Sequence, residues 1–179
     1  TVAVTAGYVC DEPRREFYRH MDAANVDLKA FTDEFYYKLT GSHLQPVLDT
    51  LMYLRHETQV WVELTTLLIP GHNDSEQEID AMTTWVVENL GSDVPMHFTA
   101  FHPDFKMRNL PPTPPKTLSR SRAVARANGV RHVYTGNGYD SANGVAKLVI
   151  MSLEDGSTTT ISTGAQGGLS AVAIVSGPD

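Results

Sequence analysis

"NVDLKAF", residues 25–31, is an apolar, strand-like run that contains one acid, Asp27, and one base, Lys29. Side chains alternate between the two faces of a strand, so Asp27 and Lys29 share one face and the apolar residues share the other. The stretch therefore predicts a strand with one face packed in a core and one face that presents a carboxylate beside an ammonium group.

Strand-like and helix-like segments alternate on both sides of this stretch. The other strands are expected in TVAVTA (1–6), VWVELTTLLI (60–69), PMHFTAF (95–101) and RHVYTG (131–136). Segments with helical periodicity lie between them, the first over residues 12–24. Such alternation is typical of a parallel sheet with crossover helices. We therefore predict an α/β fold, a partial (β/α) barrel of the TIM type with about five parallel strands.

The last forty residues change character. KLVIMSLEDGSTTTIST (147–163) contains two β-prone runs around an Asp-Gly pair, which is a strong signal for a β-hairpin. A Gly/Ser/Ala-rich stretch follows. We predict that residues 1–140 form the barrel part and residues 141–179 a C-terminal β-hairpin tail, with the boundary near Asn137–Asn143.

Composition limits the function. The 179 residues carry a net charge of −7 without a basic cluster, which argues against a nucleic-acid partner. The single cysteine, Cys10, excludes an internal disulfide and a cysteine-based metal site within these residues, and we expect it to be a small buried apolar residue. No apolar run is long enough to span a membrane, so a cytoplasmic location is the default expectation.

Polar residues follow the strands at one edge of the predicted sheet. Parallel α/β folds carry their chemistry at the carboxyl ends of the strands, and four strands place polar groups there. The first ends in Thr5 and Gly7, the second carries Asp27 and Lys29, the third ends in IPGHND, and the fourth runs into His102. Each has a structural explanation by itself, such as an ion pair between Asp27 and Lys29, but together they predict one site.

These motifs resemble a known family in order and spacing. TAGYV, VDLKAF, LLIPGHND and FTAFHPDFKM are similar to the later strands of radical S-adenosylmethionine (SAM) enzymes of the pyruvate formate-lyase activating type. LKAFT, YYKLTG, LQPVLDTL and PPTPP resemble in particular the radical SAM component of the AmmeMemoRadiSam system. The resemblance covers residues 1–137 and does not extend clearly into the tail.

The resemblance implies roles for the five residues of the predicted site. It implies that Thr5, Gly7, Asp27, Lys29 and His102 surround SAM. Asp27 would accept hydrogen bonds from the ribose or pair with a cation, Lys29 would meet a carboxylate, and His102 would contact adenine or ribose. The full enzyme would cleave SAM reductively to a 5′-deoxyadenosyl radical. A Memo-like partner protein and an electron donor for the cluster are also implied.

The sequence departs from the family in several places. The CxxxCxxC loop that holds a [4Fe-4S] cluster is absent, and so is the glycine-rich SAM motif. Val4 stands where the activating enzymes usually place an acid. We therefore expect the chain to be the C-terminal part of a radical SAM enzyme, the SAM-binding half, without radical activity alone and without a metal site of its own.

Three alternatives remain open. Lys29 inside an α/β barrel could form a Schiff base, as in an aldolase-like enzyme. The seven histidines suggest a metal-dependent hydrolase, although His97 and His102 lie an odd number of residues apart and would face opposite sides of a strand. The chain could also be a catalytically silent binding or scaffold piece.

Overall fold

The computed structural model describes residues 1–136 and the backbone of two further strands, residues 147–151 and 158–162. The first part forms a five-stranded parallel sheet in which the strands neighbour one another in chain order, β1-β2-β3-β4-β5. The strands are β1 (Val2–Thr5), β2 (Ala23–Asp27), β3 (Trp61–Leu68), β4 (Met96–Ala100) and β5 (Val133–Gly136). This sequential order is the one found in (β/α) barrels, and the predicted α/β class is confirmed.

Helices connect the strands. They are α1 (Asp11–Tyr18), α2 (Asp33–Phe35), α3 (Gln45–Glu57), α4 (Glu76–Leu90) and α5 (Pro115–Ala127), with a π-helical turn at Tyr36–Thr40 and a 3-10 turn at Phe105–Met107. Local signals explain several of the helix ends. Ser75 caps α4 by accepting a hydrogen bond from the Glu78 backbone N–H, and Gly91 ends the helix.

Two predicted boundaries were wrong. The first helix ends at Tyr18 and not near residue 24, because β2 already begins at Ala23. That strand ends at Asp27, so Lys29 lies beyond the strand that was expected to contain it. The alternation of faces nevertheless continues, since Val26, Leu28 and Ala30 are all fully buried.

The core lies on one face of the sheet. Alternate residues of the central strands, among them Leu64, Leu68 and Phe98, are fully buried and form one cluster with apolar residues of the helices. The residues between them point to the other side, where Leu67 is 40% exposed and Val4 is 80% exposed. We call this second side the open face; its residues are Val4, Asn25, Asp27, Trp61, Glu63, Thr65, Leu67, His97, Thr99 and Tyr134, together with Lys29 just beyond β2.

The last two described strands pair with each other. β6 (Lys147–Met151) and β7 (Thr158–Ser162) are antiparallel, as the predicted hairpin requires. The expected Asp-Gly turn between them and the proposed boundary at 137–143 lie outside the described residues. The division into domains at residue 140 therefore stays a prediction.

Candidate functional site

Asp27 and Lys29 form an ion pair at the carboxyl end of β2. Lys29 Nζ lies 2.8 Å from Asp27 Oδ2, which confirms that the two groups are partners. The Asp27 side chain is 37% exposed and the Lys29 side chain 34%, so the pair is in contact with water. A pair with this much exposure contributes little to stability because water screens it. Both groups can therefore exchange their mutual contact for a ligand at low cost.

The backbone around Lys29 is fixed by two buried side chains. The Lys29 N–H donates to the Tyr36 hydroxyl at 3.0 Å, and the Lys29 carbonyl accepts from Asn73 Nδ2 at 2.6 Å. Burial raises the pKa of Tyr36 to about 12, so this hydroxyl stays neutral. Asn73 belongs to the IPGHND motif and is itself fully buried. Asn73 of this motif thus fixes the position of the Lys29 backbone.

Thr5 and Gly7 lie at the end of β1, but the Thr5 side chain does not join Asp27. Thr5 pairs in register with Val26, whose side chain lies in the core. The Thr5 hydroxyl accepts a hydrogen bond from the Gly7 N–H at 3.1 Å. Convergence of the Thr5 side chain with Asp27, Lys29 and His102 was therefore predicted wrongly. Thr5 and Gly7 shape the turn after β1.

His102 lies in the loop after β4, two residues beyond the end of the strand, and is exposed. The strand register places Asp27 level with Thr65, and Thr65 level with His97. His102 is five residues further along the chain than His97. It shares the carboxyl edge with Asp27 and Lys29, whereas the histidine in the same row as Asp27 is His97.

His97 also belongs to a polar cluster which the sequence did not reveal. Glu63 accepts hydrogen bonds from His97 Nε2 at 2.7 Å and from Trp61 Nε1 at 3.0 Å. The His97 ring stacks on Tyr134, with 5.0 Å between ring centroids. Burial alone would raise the pKa of Glu63, but the donors His97 and Trp61 outweigh it and hold that pKa below its ordinary value. The only sequence signal was the alternation that puts Glu63 and His97 on the face of Asp27.

Cys10 is exposed at the start of α1, which corrects the expectation that it is buried. It borders a groove of about 340 Å³ that is also lined by Arg14 and Asp49. The buried Arg14 pairs with Asp11 at 2.5 Å.

In the described part of the chain, no three His, Cys, Asp or Glu side chains come together as metal ligands. The described helices are all too short or too polar to cross a bilayer.

The chain has a relative among known proteins. It is 38% identical over 144 residues to an uncharacterized protein, MJ0808, of Methanocaldococcus jannaschii, a match that covers 79% of this chain and 42% of that protein. The chain thus spans less than half the length of this relative. No family model matches.

Solved structures share the fold. A domain of a pyruvate-formate lyase-activating enzyme from Bacteroides vulgatus aligns with a TM-score of 0.65 at 14% identity, over 75% of this chain and 80% of that one. The chain has a radical SAM-like fold. A radical SAM methyltransferase from Sphaerobacter thermophilus aligns with a TM-score of 0.62 at 17% identity, over 78% of this chain and 41% of that one. These likenesses concern the fold.

Proposed function

We propose that this chain provides SAM-binding strands of a radical SAM enzyme. The observation that carries the proposal is the Asp27–Lys29 pair, which lies at the carboxyl end of β2 on the open face of a radical SAM-like sheet. SAM is a polar zwitterion, and an apolar surface could not satisfy its charged groups. A carboxylate and an ammonium group two residues apart suit the two signs of charge that it carries.

Each residue has a distinct part in this proposal. Lys29 donates to the carboxylate of the methionine moiety, and Asp27 accepts from ribose hydroxyls. His102, in the loop after β4, contacts adenine or ribose. Thr5 and Gly7 contribute through the turn that they shape beside β2. In enzymes of this class the bound cofactor is the source of a 5′-deoxyadenosyl radical that abstracts hydrogen from a substrate.

The residues of this chain do not fit the other cofactor of the family. A [4Fe-4S] cluster is held by cysteine thiolates, and Cys10 is the only cysteine among the 179 residues. The cluster ligands, the electron donor and a Memo-like partner protein belong to the proposal only as features of a longer enzyme.

Binding measurements on the chain test the proposal. Lys29→Met should weaken SAM binding by roughly tenfold to a hundredfold, the value of one hydrogen bond between charged groups. The same substitution should leave the affinity for 5′-methylthioadenosine unchanged, because this analogue lacks the carboxylate. Asp27→Asn should weaken the binding of both SAM and 5′-methylthioadenosine. Titration calorimetry, supported by NMR shift mapping at millimolar ligand, measures all of these affinities.

A matched control is Lys38→Met. Lys38 also pairs with a carboxylate, Glu34, at 2.5 Å, but it lies exposed on the π-helical turn. This variant should bind SAM like the unchanged chain. If the unchanged chain gives no shifts near Asp27, or if Lys29→Met binds SAM equally well, the SAM site is refuted and the silent scaffold remains.

The Schiff-base alternative receives less support from the contacts of Lys29. Schiff-base lysines are activated by desolvation or by a neighbouring cation, whereas Lys29 is 34% exposed and lies 2.8 Å from the Asp27 carboxylate. Borohydride treatment in the presence of an aldehyde should therefore give no more adduct at Lys29 than at Lys38. Selective reduction onto Lys29 would favour the aldolase-like enzyme instead.

A further inference from the structure

The Glu63–His97 pair has the features of a proton-transfer site. The two side chains are only 11% and 15% exposed, although Val4 and Leu67 on the same open face are 80% and 40% exposed. They come from adjacent strands, 34 residues apart in sequence. Such a buried carboxylate–imidazole contact is costly unless all its hydrogen bonds are satisfied, and here both carboxylate oxygens are occupied.

The contacts determine which nitrogen of His97 carries the proton. Because its pKa is lowered, Glu63 is an ionised carboxylate and can only accept hydrogen bonds. His97 Nε2 lies 2.7 Å from Glu63 Oε2 and must therefore be the donor. In the neutral ring this leaves Nδ1 with a lone pair. The arrangement of a carboxylate that holds one imidazole nitrogen and exposes the other is the one that general-base histidines use.

Nδ1 is accessible on the open face. Among the described residues His97 Nδ1 has no hydrogen-bond partner. It is not one of the fully buried polar atoms that lack a partner, so it is in contact with solvent. The titratable side chains that face His97 are Glu63, Tyr134 and, two strands away in the same row, Asp27. Burial and the Glu63 charge raise the pKa of Tyr134, so its hydroxyl stays neutral.

The surroundings indicate what kind of molecule binds there. Among the described residues of the open face Lys29 is the only lysine or arginine, and it lies beyond β2 beside Asp27, so no lysine or arginine contacts Glu63 or His97. Trp61 is 55% exposed and Tyr134 lies beside His97, which provides aromatic surface. Neutral rings pack on such surfaces, and an acidic hydroxyl or ring N–H would meet the Nδ1 lone pair.

We propose that His97, oriented by Glu63, is a general base that takes a proton from a hydroxyl or ring N–H of a neutral ring compound. The O–H or N–H bond of the compound breaks and its electron pair stays on that heteroatom. A new N–H bond forms at His97 Nδ1, and the Glu63 carboxylate stabilises the imidazolium. Glu63 is thus a positioning residue. The step requires no oxidant or reductant and does not depend on bound SAM.

The first test concerns the tautomer. Nitrogen-15 NMR of the imidazole rings should show His97 almost entirely as the Nε2–H form in the unchanged chain. Glu63→Gln should yield a mixture of both forms. An Nδ1–H ring in the unchanged chain would overturn the proposal, because the exposed nitrogen would then have no lone pair.

The second test uses 4-nitrophenol, whose anion is yellow and whose neutral form is colourless. Below the pH at which the free phenol ionises, the unchanged chain should bind it with appearance of the yellow colour. His97→Gln and Glu63→Gln should lose the colour and bind at least about fivefold more weakly, the loss of one hydrogen bond. Nitrobenzene, which lacks the proton, should bind all three proteins alike.

His72→Gln serves as the control, because His72 is exposed in the turn after β3 and should not affect the colour. Circular dichroism checks that each variant is folded; if His97→Gln is not, Glu63→Gln decides. Colourless binding by the folded unchanged chain, or no binding at all, contradicts the proposal. Since no SAM is present, these outcomes are separate from the fate of the SAM site.

Discussion

Gly7 lies so close to Val26 that a Cβ on Gly7 would be 2.8 Å from the Val26 Cγ1 atom. Gly7 also has a φ of +67°, a conformation that side chains disfavour. The absence of a side chain at Gly7 thus lets the turn after β1 pack against the core face of β2.

Gly7→Ala should therefore destabilise the fold by about 2–4 kcal/mol, through backbone strain together with overpacking against Val26. Gly41→Ala is a matched control, since Gly41 has the same φ of +67° but nothing within 4 Å of an added Cβ. It should cost only about 1–2 kcal/mol of strain. Urea unfolding measures both values. Equal losses would show that the contact with Val26 is unimportant.

Asn73 should be among the most sensitive polar positions. Its Oδ1 accepts from the Ile69 N–H at 2.6 Å, and its Nδ2 donates to the carbonyls of Lys29 and Leu67 at 2.6 and 2.8 Å. Asn73→Ala leaves these backbone groups without partners and should cost about 3–5 kcal/mol in urea unfolding. Asn109→Ala, at an exposed position, should stay within about 0.5 kcal/mol.

Sequence patterns were sufficient for the fold and for part of the site. Hydrophobic periodicity located the five strands, and the period of two placed Asp27 and Lys29 on the face opposite the core. It did not distinguish the two faces of β1, because Val2, Ala3 and Val4 are all apolar; the pairing of Thr5 with the buried Val26 shows that Thr5 faces the core. Register is determined by the packing of the whole sheet and cannot be predicted from the sequence of either strand alone.

The Glu63–His97 contact was missed for the same reason. The pattern VWVELTTLLI puts Glu63 on the open face, but its partner lies 34 residues away. The pairing of Thr65 with His97 brings the histidine close to Glu63. A distant contact also determines the partner of Glu78, whose carboxylate accepts from the Phe31 N–H at 2.7 Å, 47 residues away in the sequence.

β1 should promote self-association of the chain. Within the described residues it pairs only with β2, and it exposes the apolar side chains of Val2 and Val4. Unpaired apolar edge strands join other chains unless a charge prevents it. Val4→Lys should therefore lower the associated fraction in sedimentation velocity, while Leu39→Lys, at a 38% exposed site of the π-helical turn, should not. An equal effect of both would point to net charge instead of the edge.

The stability of the chain should depend on pH in opposite directions at two glutamates. The pKa of Glu63 is lowered, so its contribution is present above the ordinary carboxyl value and is lost as pH falls through the lowered pKa. Glu63→Gln should thus cost more stability at about pH 7 than at about pH 3. Urea unfolding at both pH values measures the difference, and a cost independent of pH would contradict an ionised Glu63.

The pKa of Glu78 is shifted in the opposite direction, so the pH dependence of its contribution is reversed. Burial raises its pKa despite the hydrogen bond from the Phe31 N–H, and the charge of Asp74 adds to this. Its contribution is therefore complete below the ordinary carboxyl value and is lost as pH rises through the raised pKa. Glu78→Gln keeps an acceptor for Phe31 and cannot ionise, so relative to the unchanged chain it should gain stability between about pH 4 and about pH 7. Glu76→Gln is the control, because Glu76 lies two residues earlier in α4 and is exposed; it should show no such gain. A relative loss for Glu78→Gln over that interval would mean that the ionised carboxylate stabilises the fold.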